Sequence, residues 1–161
     1  MTADRFNQEG FSIRAALPSD LEGLAALYPH LNPSDEPIAR DLAASRLEAI
    51  KEIPGSEVLL GLLDHKPVAT CTLIVIPNLT RGGKPYGLIE NVVTHVGYRG
   101  RGYGTRILHA AVAAAWDAGC YKVMLMTGSK QPSTLRFYES AGFEQTKTGF
   151  QKRRMAARQD A

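Results

Sequence analysis

The stretch from Glu90 to Gly119, ENVVTHVGYRGRGYGTRILHAAVAAAWDAG, decides how the rest of the chain is interpreted. It begins within an apolar, β-branched run at 88–96 whose composition is typical of a strand. A turn rich in arginine and glycine follows at 99–104, and from Thr105 the apolar residues recur with a helical period. Gly119 stands where a helix commonly ends on a left-handed residue. The stretch therefore predicts a strand, a glycine turn and a helix.

A glycine turn that opens a helix is suited to holding a phosphate group. Glycines let the backbone approach an anion closely, and the first N–H groups of a helix point toward it. Arg99 and Arg101 add positive charge. The spacing excludes two nucleotide motifs, since G-x-G-x-G from Gly100 is not the dinucleotide fingerprint and Tyr103 stands where a nucleoside-triphosphate loop needs lysine. Taken alone, these residues are also compatible with a plain tight turn and solvated arginines.

A second motif, LRFYESAGF, occupies 135–143 and is joined to the first by a strand-like run at 122–127. Together with Arg99-x-x-Gly102-x-Gly104, it resembles the acyl-CoA signature and the F-Y-E-x-x-G-F segment of the GNAT superfamily of N-acetyltransferases. The resemblance is sharp over 88–143 and follows the order of elements over about 11–155.

The segment Ile89-Glu90-Asn91-Val92-Val93 further resembles the glucosamine-6-phosphate N-acetyltransferase branch of that superfamily. The branch usually has aspartate where this chain has Asn91. It is also dimeric, with C-terminal strands exchanged between subunits. The resemblance therefore implies a homodimer in which residues 145–155 cross the interface.

The fold implied by the resemblance is α/β (α+β), in a single GNAT domain spanning 1–161. We expect a central mixed, mostly antiparallel sheet of six or seven strands flanked by four helices. The strands at 88–96 and 122–127 are expected to splay apart, so that the pantetheine arm of a coenzyme inserts between them. Residues 1–10 and 156–161 are expected to form flexible tails.

Patterns outside the motifs predict the remaining elements. A strand is expected at 11–15, a helix from about Ser19 with a buried stripe reaching Leu31, and a second helix at 38–51. Two β-rich runs, 58–63 and 68–76, are separated by a short polar segment that is typical of a hairpin. Ser19 and Glu22 have the spacing of a capping box for the first helix.

Composition is that of an ordinary globular protein, with 44% hydrophobic and 22% charged residues in a chain of 161. The net charge of +3 permits an anionic ligand without demanding nucleic acid, which we do not expect as a partner. No apolar stretch approaches a membrane span, and the first ten residues carry no signal-like run. Cys71 and Cys120 lie far apart in apolar stretches, so we expect reduced core thiols, no metal site and a cytoplasmic protein.

Two residues are predicted to carry the chemistry, which needs a neutral amine, a polarised thioester and a proton for the departing thiolate. Glu90 lies within an apolar strand, where an unpartnered carboxylate is rare, and is the expected general base, directly or through a water. Tyr138 matches the family position whose phenol donates to the coenzyme sulfur. Gly142 stands where it would close the short helix of Tyr138 with a left-handed residue. Asn91 and His95 are secondary candidates, although strand alternation places His95 on the opposite face from Glu90.

The resemblance also implies a set of contacts with acetyl-CoA. Backbone groups of three strand residues meet the pantetheine, and the amide around Val93 helps to polarise the thioester carbonyl. The N–H groups of 99–105 hold the pyrophosphate, and a serine and a glutamine stand near the position where the family often carries asparagine. The expected coenzyme set is Val92, Val93, Thr94, Arg99, Gly100, Arg101, Gly102, Tyr103, Gly104, Thr105, Ser129 and Gln131.

The expected function is transfer of an acetyl group from acetyl-CoA, as co-substrate and without a metal, to a primary amine by direct attack in a ternary complex. The acceptor stays open between amino sugars, amino acids, polyamines, aminoglycosides and aminophosphonates. Tyr28, His30 and Arg40 are acceptor contacts by resemblance only. Two alternatives also stay open: a non-catalytic CoA-binding sensor, and a protein or peptide N-acetyltransferase. A nucleic-acid binder ranks last, because the basic excess is small.

Overall fold

The computed structural model describes residues 10–157. The two expected tails, 1–10 and 156–161, therefore lie mostly outside the described residues. The described helices and strands are, in order, β1 (Phe11–Ala15), α1 (Leu21–Leu27), α2 (Arg40–Lys51), β2 (Glu57–Leu63), β3 (Lys66–Ile76), β4 (Tyr86–Thr94), α3 (Tyr103–Asp117), β5 (Val123–Leu125) and α4 (Pro132–Ser140). Within 10–157, no helix is long and apolar enough to cross a membrane.

The strands form one sheet in the order β1-β2-β3-β4-β5, antiparallel throughout except for the parallel pair β4–β5. The expected mixed, mostly antiparallel sheet with four helices is confirmed. The number of strands differs, since the described chain has five rather than six or seven. A strand exists only where it pairs with a neighbour, and residues 144–157 pair with no strand of this chain within the described range.

The hairpin of β2 and β3 shows how local chemistry sets the register of the sheet. Its two connecting residues, Asp64 and His65, both have left-handed backbones with φ of 48° and 66°. Such a two-residue turn matches the twist of the strands that it joins. The hairpin predicted from the two β-rich runs is confirmed.

The sheet separates two cores, and each core belongs to one pair of helices. On one face, Ile107 and Leu108 of α3 are buried together with Cys71 and Ile89 of the sheet, and α4 packs beside them. On the other face α1 and α2 cover a second cluster, which consists of Ala16, Leu24, Leu27, Leu47, Val58, Leu60, Leu62 and Val93. Cys71 and Cys120 are both free and buried, as expected.

The first helix begins and ends differently from its prediction. The Asp20 carboxylate, rather than Ser19 or Glu22, accepts a hydrogen bond from the Leu17 N–H at 2.7 Å and also pairs with Arg14 at 2.6 Å. Asp20 therefore replaces the expected capping box, because Arg14 on β1 holds its carboxylate in place. The helix narrows into a 3-10 turn at Tyr28–His30, where Pro29 lacks an N–H to continue the α-helical bonding.

Candidate active site

Strands β4 and β5 separate partway along their length. They pair only through Gly87 with Val123, Leu88 with Met124, and Ile89 with Leu125. Beyond Ile89, β4 continues to Thr94 with no strand on that side among the described residues. Backbone groups there are left to bond another partner. The expected splay between the two strands is therefore present.

A bulge follows Glu90 in β4. Thr72 lies opposite Glu90 and Thr70 lies opposite Val93, so that Cys71 faces two residues of β4 instead of one. Asn91 has a φ of 52°, in the left-handed region that asparagine and aspartate enter more readily than other residues with a Cβ. The chain therefore departs from the branch pattern with a residue that tolerates this left-handed conformation, as aspartate does.

The extra residue changes which side chains of β4 share a face. Val93 packs in the core under α1 and α2, whereas Val92 packs in the core under α3. Glu90 pairs with Thr72 on the same face as Val93, and the His95 ring contacts His30, which also lies on that side. The expectation that His95 faces away from Glu90 was wrong, because simple alternation takes no account of a bulge.

Tyr138 lies on α4, on the side of the sheet that α3 covers. It is half-buried against the core beneath α3 and lies next to Phe137, with ring centroids 5.0 Å apart. Burial raises the pKa of the Tyr138 phenol above its ordinary value, with smaller electrostatic contributions from Cys71 and Glu90 in the same direction. A phenol with a raised pKa stays protonated at neutral pH and is able to donate a hydrogen bond. Donation to the coenzyme sulfur stays a prediction.

The end of α4 fixes the position of Tyr138. The Phe143 N–H donates to the Tyr138 carbonyl at 3.1 Å, and Gly142 has a φ of 92°. This is the left-handed closure that the sequence predicted for Gly142. The backbone of the tyrosine is thus held at the last turn of its helix.

The three glycines around the start of α3 serve two different purposes. Gly100 and Gly102 have φ of 74° and 82°, and a Cβ added to either would meet nothing within 4 Å. Gly104 is buried, and a Cβ there would lie 3.0 Å from the Thr94 hydroxyl and 3.1 Å from the Phe137 ring. The first two therefore shape an accessible loop, whereas the third allows α3 to pack against β4 and α4.

The start of α3 meets the requirements of a diphosphate. In the first turn, the N–H groups of Tyr103, Gly104 and Thr105 have no carbonyl earlier in the helix to bond. They lie at the positive end of the helix dipole, next to the accessible backbone of Gly100 and Gly102. The residues present therefore fit the pyrophosphate of coenzyme A, and the individual contacts stay predictions.

The two arginines of the loop differ in their surroundings. Arg99 donates from Nε to the Thr94 carbonyl at 3.2 Å and from Nη2 to the His30 carbonyl at 2.8 Å. Arg101 is exposed, with its guanidinium over the Tyr98 ring at 5.5 Å. A phosphate contact by the Arg99 side chain stays a prediction, and it would compete with these two bonds.

The polar residues before α4 organise the entry into that helix. The Ser129 hydroxyl lies 3.2 Å from that of Thr134 and accepts a hydrogen bond from the Gln131 N–H at 3.3 Å. Gln131 is exposed and directly precedes Pro132, the first residue of α4. These local bonds explain why Ser129 is polar, and the coenzyme contacts of both residues stay predictions.

The segment expected to face the acceptor contains an arrangement that sequence reasoning missed. The rings of His30 and His95 are in contact, with centroids 4.1 Å apart and planes tilted by 47°, and Arg99 binds the carbonyl of His30. Burial lowers the pKa of His30, as do His95 and the charge of Arg99. Arg99 and His30 are 69 positions apart, so no local pattern indicated the contact. Tyr28 is half-buried, with its phenol pKa raised by burial, and Arg40 is exposed at the start of α2.

A split sheet and a loop suited to a diphosphate fit an enzyme that transfers a group from a nucleotide-bearing donor, and the catalytic roles of Glu90 and Tyr138 stay predictions. In residues 10–157, no group of three or more His, Cys, Asp or Glu residues could hold a metal ion. The Acetyltransferase (GNAT) family matches residues 24–143. The chain belongs to this family and is an N-acetyltransferase.

Individual relatives agree with the family. Glucosamine 6-phosphate N-acetyltransferase of Trypanosoma brucei brucei is 30% identical over 135 residues, which cover 81% of this chain and 87% of the relative. Probable glucosamine 6-phosphate N-acetyltransferase 2 of Oryza sativa subsp. japonica is 32% identical over 127 residues, covering 76% and 74%. Among solved structures, a putative acetyltransferase from Agrobacterium tumefaciens str. C58 has 50% sequence identity and a TM-score of 0.84, covering 89% of this chain and 99% of that one.

Proposed function

We propose that this enzyme transfers the acetyl group of acetyl-CoA to the primary amine of a small amino sugar phosphate, with glucosamine 6-phosphate as the first acceptor to test. The observation that carries the proposal is the gap that opens in the sheet after Ile89, where Glu90 is the next residue of β4 and has no partner on β5 among the described residues. Two relatives that match most of this chain are named for that acceptor. The choice of acceptor is based on the names of these relatives, and no individual residue of this chain specifies it.

In the proposed reaction, Glu90 removes a proton from the acceptor ammonium, directly or through one water. The neutral amine then forms a bond to the thioester carbonyl carbon, whose oxygen is polarised by the backbone amide around Val93. The carbon–sulfur bond breaks as Tyr138 donates its proton to the departing sulfur. The second proton, which the nitrogen loses on becoming an amide, returns through solvent to the Tyr138 phenolate, and Glu90 releases its proton to solvent. Acetyl-CoA supplies the acyl group and leaves as the free thiol. Holding both substrates in one cleft accounts for much of the expected rate gain.

The test is thiol release from acetyl-CoA across a panel of amines, with calorimetric binding of CoA measured alongside. The panel contains glucosamine 6-phosphate, glucosamine, an aminoglycoside, a polyamine and a lysine peptide. Turnover that prefers glucosamine 6-phosphate over unphosphorylated glucosamine supports the proposal. Turnover confined to the lysine peptide would replace it with peptide acetylation, and CoA binding without any acceptor-dependent release would replace it with the sensor function.

We also propose that the enzyme acts as a homodimer in which residues 145–155 meet a second copy. Phe150 and Met155 are 92% and 83% exposed, and Met126, beside the free edge of β5, is 65% exposed. A covered interface explains large apolar side chains in a segment that pairs with no strand of this chain within 10–157. Sedimentation analysis should give twice the mass of 17.5 kDa, with Phe150→Ser shifting the equilibrium toward monomer. A monomeric wild-type protein would contradict this proposal.

A cytoplasmic location belongs to the same proposal. The free, buried thiols of Cys71 and Cys120 support a reducing compartment, where disulfides are rare. Fractionation of cells that produce the native protein tests it, and recovery outside the cytoplasm would contradict it.

A further inference from the structure

Arg99 stands at the start of the coenzyme loop but bonds to the acceptor side of the molecule. Its guanidinium spans two backbone carbonyls that belong to different elements, Thr94 at the end of β4 and His30 in the 3-10 turn after α1. Hydrogen bonds from a charged donor are shorter and stronger than those between neutral groups. One side chain therefore joins the end of the central strand to the turn that leads into residues 31–39.

The turn at Tyr28–His30 has a second attachment at the same place. The His30 ring packs on that of His95 at 4.1 Å, and the His95 Nδ1 accepts a hydrogen bond from the Gly97 N–H at 3.0 Å, which fixes the orientation of the ring. The described backbone bonds that the turn itself makes, Leu31 N–H and Asn32 N–H to the Tyr28 carbonyl, are local. Tyr28 and the following Leu31 pack on the core beneath α1 and α2, whereas the His30 end of the turn is held against the end of β4 by Arg99 and His95.

We infer that Arg99 is a positioning residue for the acceptor, which holds the Tyr28–His30 turn against the end of β4 and so sets the wall of the acceptor side. The inference rests on the proposed function, since it assigns this wall to the amine substrate. It departs from the phosphate role expected for Arg99 from the sequence. Arg101 is exposed in the same loop, with its guanidinium over the Tyr98 ring. Among the described hydrogen bonds its side chain makes none to a backbone carbonyl, so its guanidinium is available to a phosphate.

The two roles predict opposite kinetics. A guanidinium that binds phosphate contributes to CoA affinity, whereas one that positions the turn contributes to acceptor affinity. For Arg99→Ala we expect the acceptor KM to rise about tenfold, equivalent to about 1.4 kcal/mol, with the Kd of CoA changed less than about twofold. Arg101→Ala is the matched variant from the same loop and is expected to show the reverse. Arg99→Lys should lie between wild type and Arg99→Ala, because an ammonium spans two carbonyls less well than a planar guanidinium.

The measurements are calorimetric Kd for CoA and steady-state KM and kcat for the acceptor, with thermal unfolding as the folding control. A rise in the Kd of CoA for Arg99→Ala equal to that for Arg101→Ala, with acceptor KM unchanged, would overturn the inference. If Arg99→Ala fails to fold, Arg99→Lys decides the matter by the same comparison of KM with Kd.

A readout that needs no turnover separates this inference from the proposed function. The ring proton signals of His30 and His95 report the contact between the two rings, and the charge of Arg99 is one of the causes that lower the pKa of His30. In Arg99→Ala, the NMR titration midpoint of His30 should rise and the ring-current shifts of both histidines should fall. Unchanged histidine signals would overturn the positioning role, whereas a failed acceptor panel with altered signals would leave it standing and refute only the choice of acceptor.

Discussion

Residues 86–143, where the coenzyme is expected, form the coenzyme half of the molecule, and residues 16–51, where the acceptor is expected, form the acceptor half. In the coenzyme half, a methyl group at Gly104 would lie 3.0 Å from a side chain of β4 and 3.1 Å from one of α4. In the acceptor half, α1 and α2 pack on the second core, whereas the turn after α1 is attached to β4 through Arg99 and the contact between His30 and His95. Substitutions of exposed side chains in that turn should therefore disturb the sheet less than a substitution at Gly104.

The largest effect that distinguishes the two halves is expected from Tyr138→Phe. This substitution removes the proton donor and keeps the packing of the ring, so kcat should fall by about 100-fold or more. The Kd of CoA should stay within about twofold of wild type, because the phenol acts on the departing sulfur. Steady-state kinetics and calorimetry measure the two quantities, and equal losses in both would contradict the role of Tyr138 as an acid.

The pH profile gives an independent check on Tyr138. The folded-state pKa of its phenol lies above the ordinary value of 10.0, so the protonated, donating form persists to more alkaline pH than in a free tyrosine. Any alkaline loss of kcat that belongs to Tyr138 should therefore begin above pH 10 and be absent in Tyr138→Phe. If kcat falls at alkaline pH in both the wild type and Tyr138→Phe, the fall would come from the titration of another group.

A matched pair of glycine variants tests the two purposes of the coenzyme loop. Gly104→Ala places a methyl 3.0 Å from the Thr94 hydroxyl and should lower the free energy of unfolding by about 1–3 kcal/mol. Gly102→Ala meets no atom within 4 Å and should cost about 1 kcal/mol through its φ of 82°, while weakening CoA binding by blocking close backbone approach.

Denaturant unfolding and CoA calorimetry on both glycine variants complete this test. Gly104→Ala should be the less stable of the two. Gly102→Ala should bind CoA more weakly than its small loss of stability explains. Unchanged CoA affinity in Gly102→Ala would place the pyrophosphate elsewhere.

The smallest effect is expected in the acceptor half, at the start of α1. Asp20→Ala removes the acceptor for the Leu17 N–H and the partner of Arg14, and should cost about 1 kcal/mol. The hydrogen bond from Arg14 holds the pKa of Asp20 below its ordinary 3.8, so this stability is present above about pH 4 and is lost as pH falls through the folded-state value. Because Arg14 is partly exposed, solvent screens its ion pair with Asp20 and keeps the contribution to stability small.

Thermal unfolding between pH 2 and 7 checks the Asp20 prediction. The difference between wild type and Asp20→Ala should shrink on the acid side. CoA affinity should not change, because Asp20 lies in the other half of the molecule. A difference that grows toward low pH would reverse the sign assigned to Asp20.

Local patterns predicted the elements whose chemistry is complete within a few residues. The strand Phe11–Ala15 and the closure at Gly142 are confirmed, as is the hairpin around Asp64. Each depends on alternation, a turn or a glycine that can be recognised without knowledge of the rest of the chain.

Features that depend on distant partners escaped prediction. The face of His95 depends on a bulge at one residue, and the capping role of Asp20 depends on Arg14 from a neighbouring strand. The contact of Arg99 with His30 joins positions 69 apart. The strands expected beyond residue 143 have no pairing partner in this chain within the described residues.

The bulge at Asn91 has a consequence for comparing this protein with its relatives. The single extra residue shifts the phase of β4, so that Glu90 and His95 share a face although they are five positions apart in the sequence. A relative without the extra residue would present the same two residue types on opposite faces. Alignments of this strand with relatives should therefore superpose the bulge first, because identical residues that face opposite sides of the sheet would form a different site.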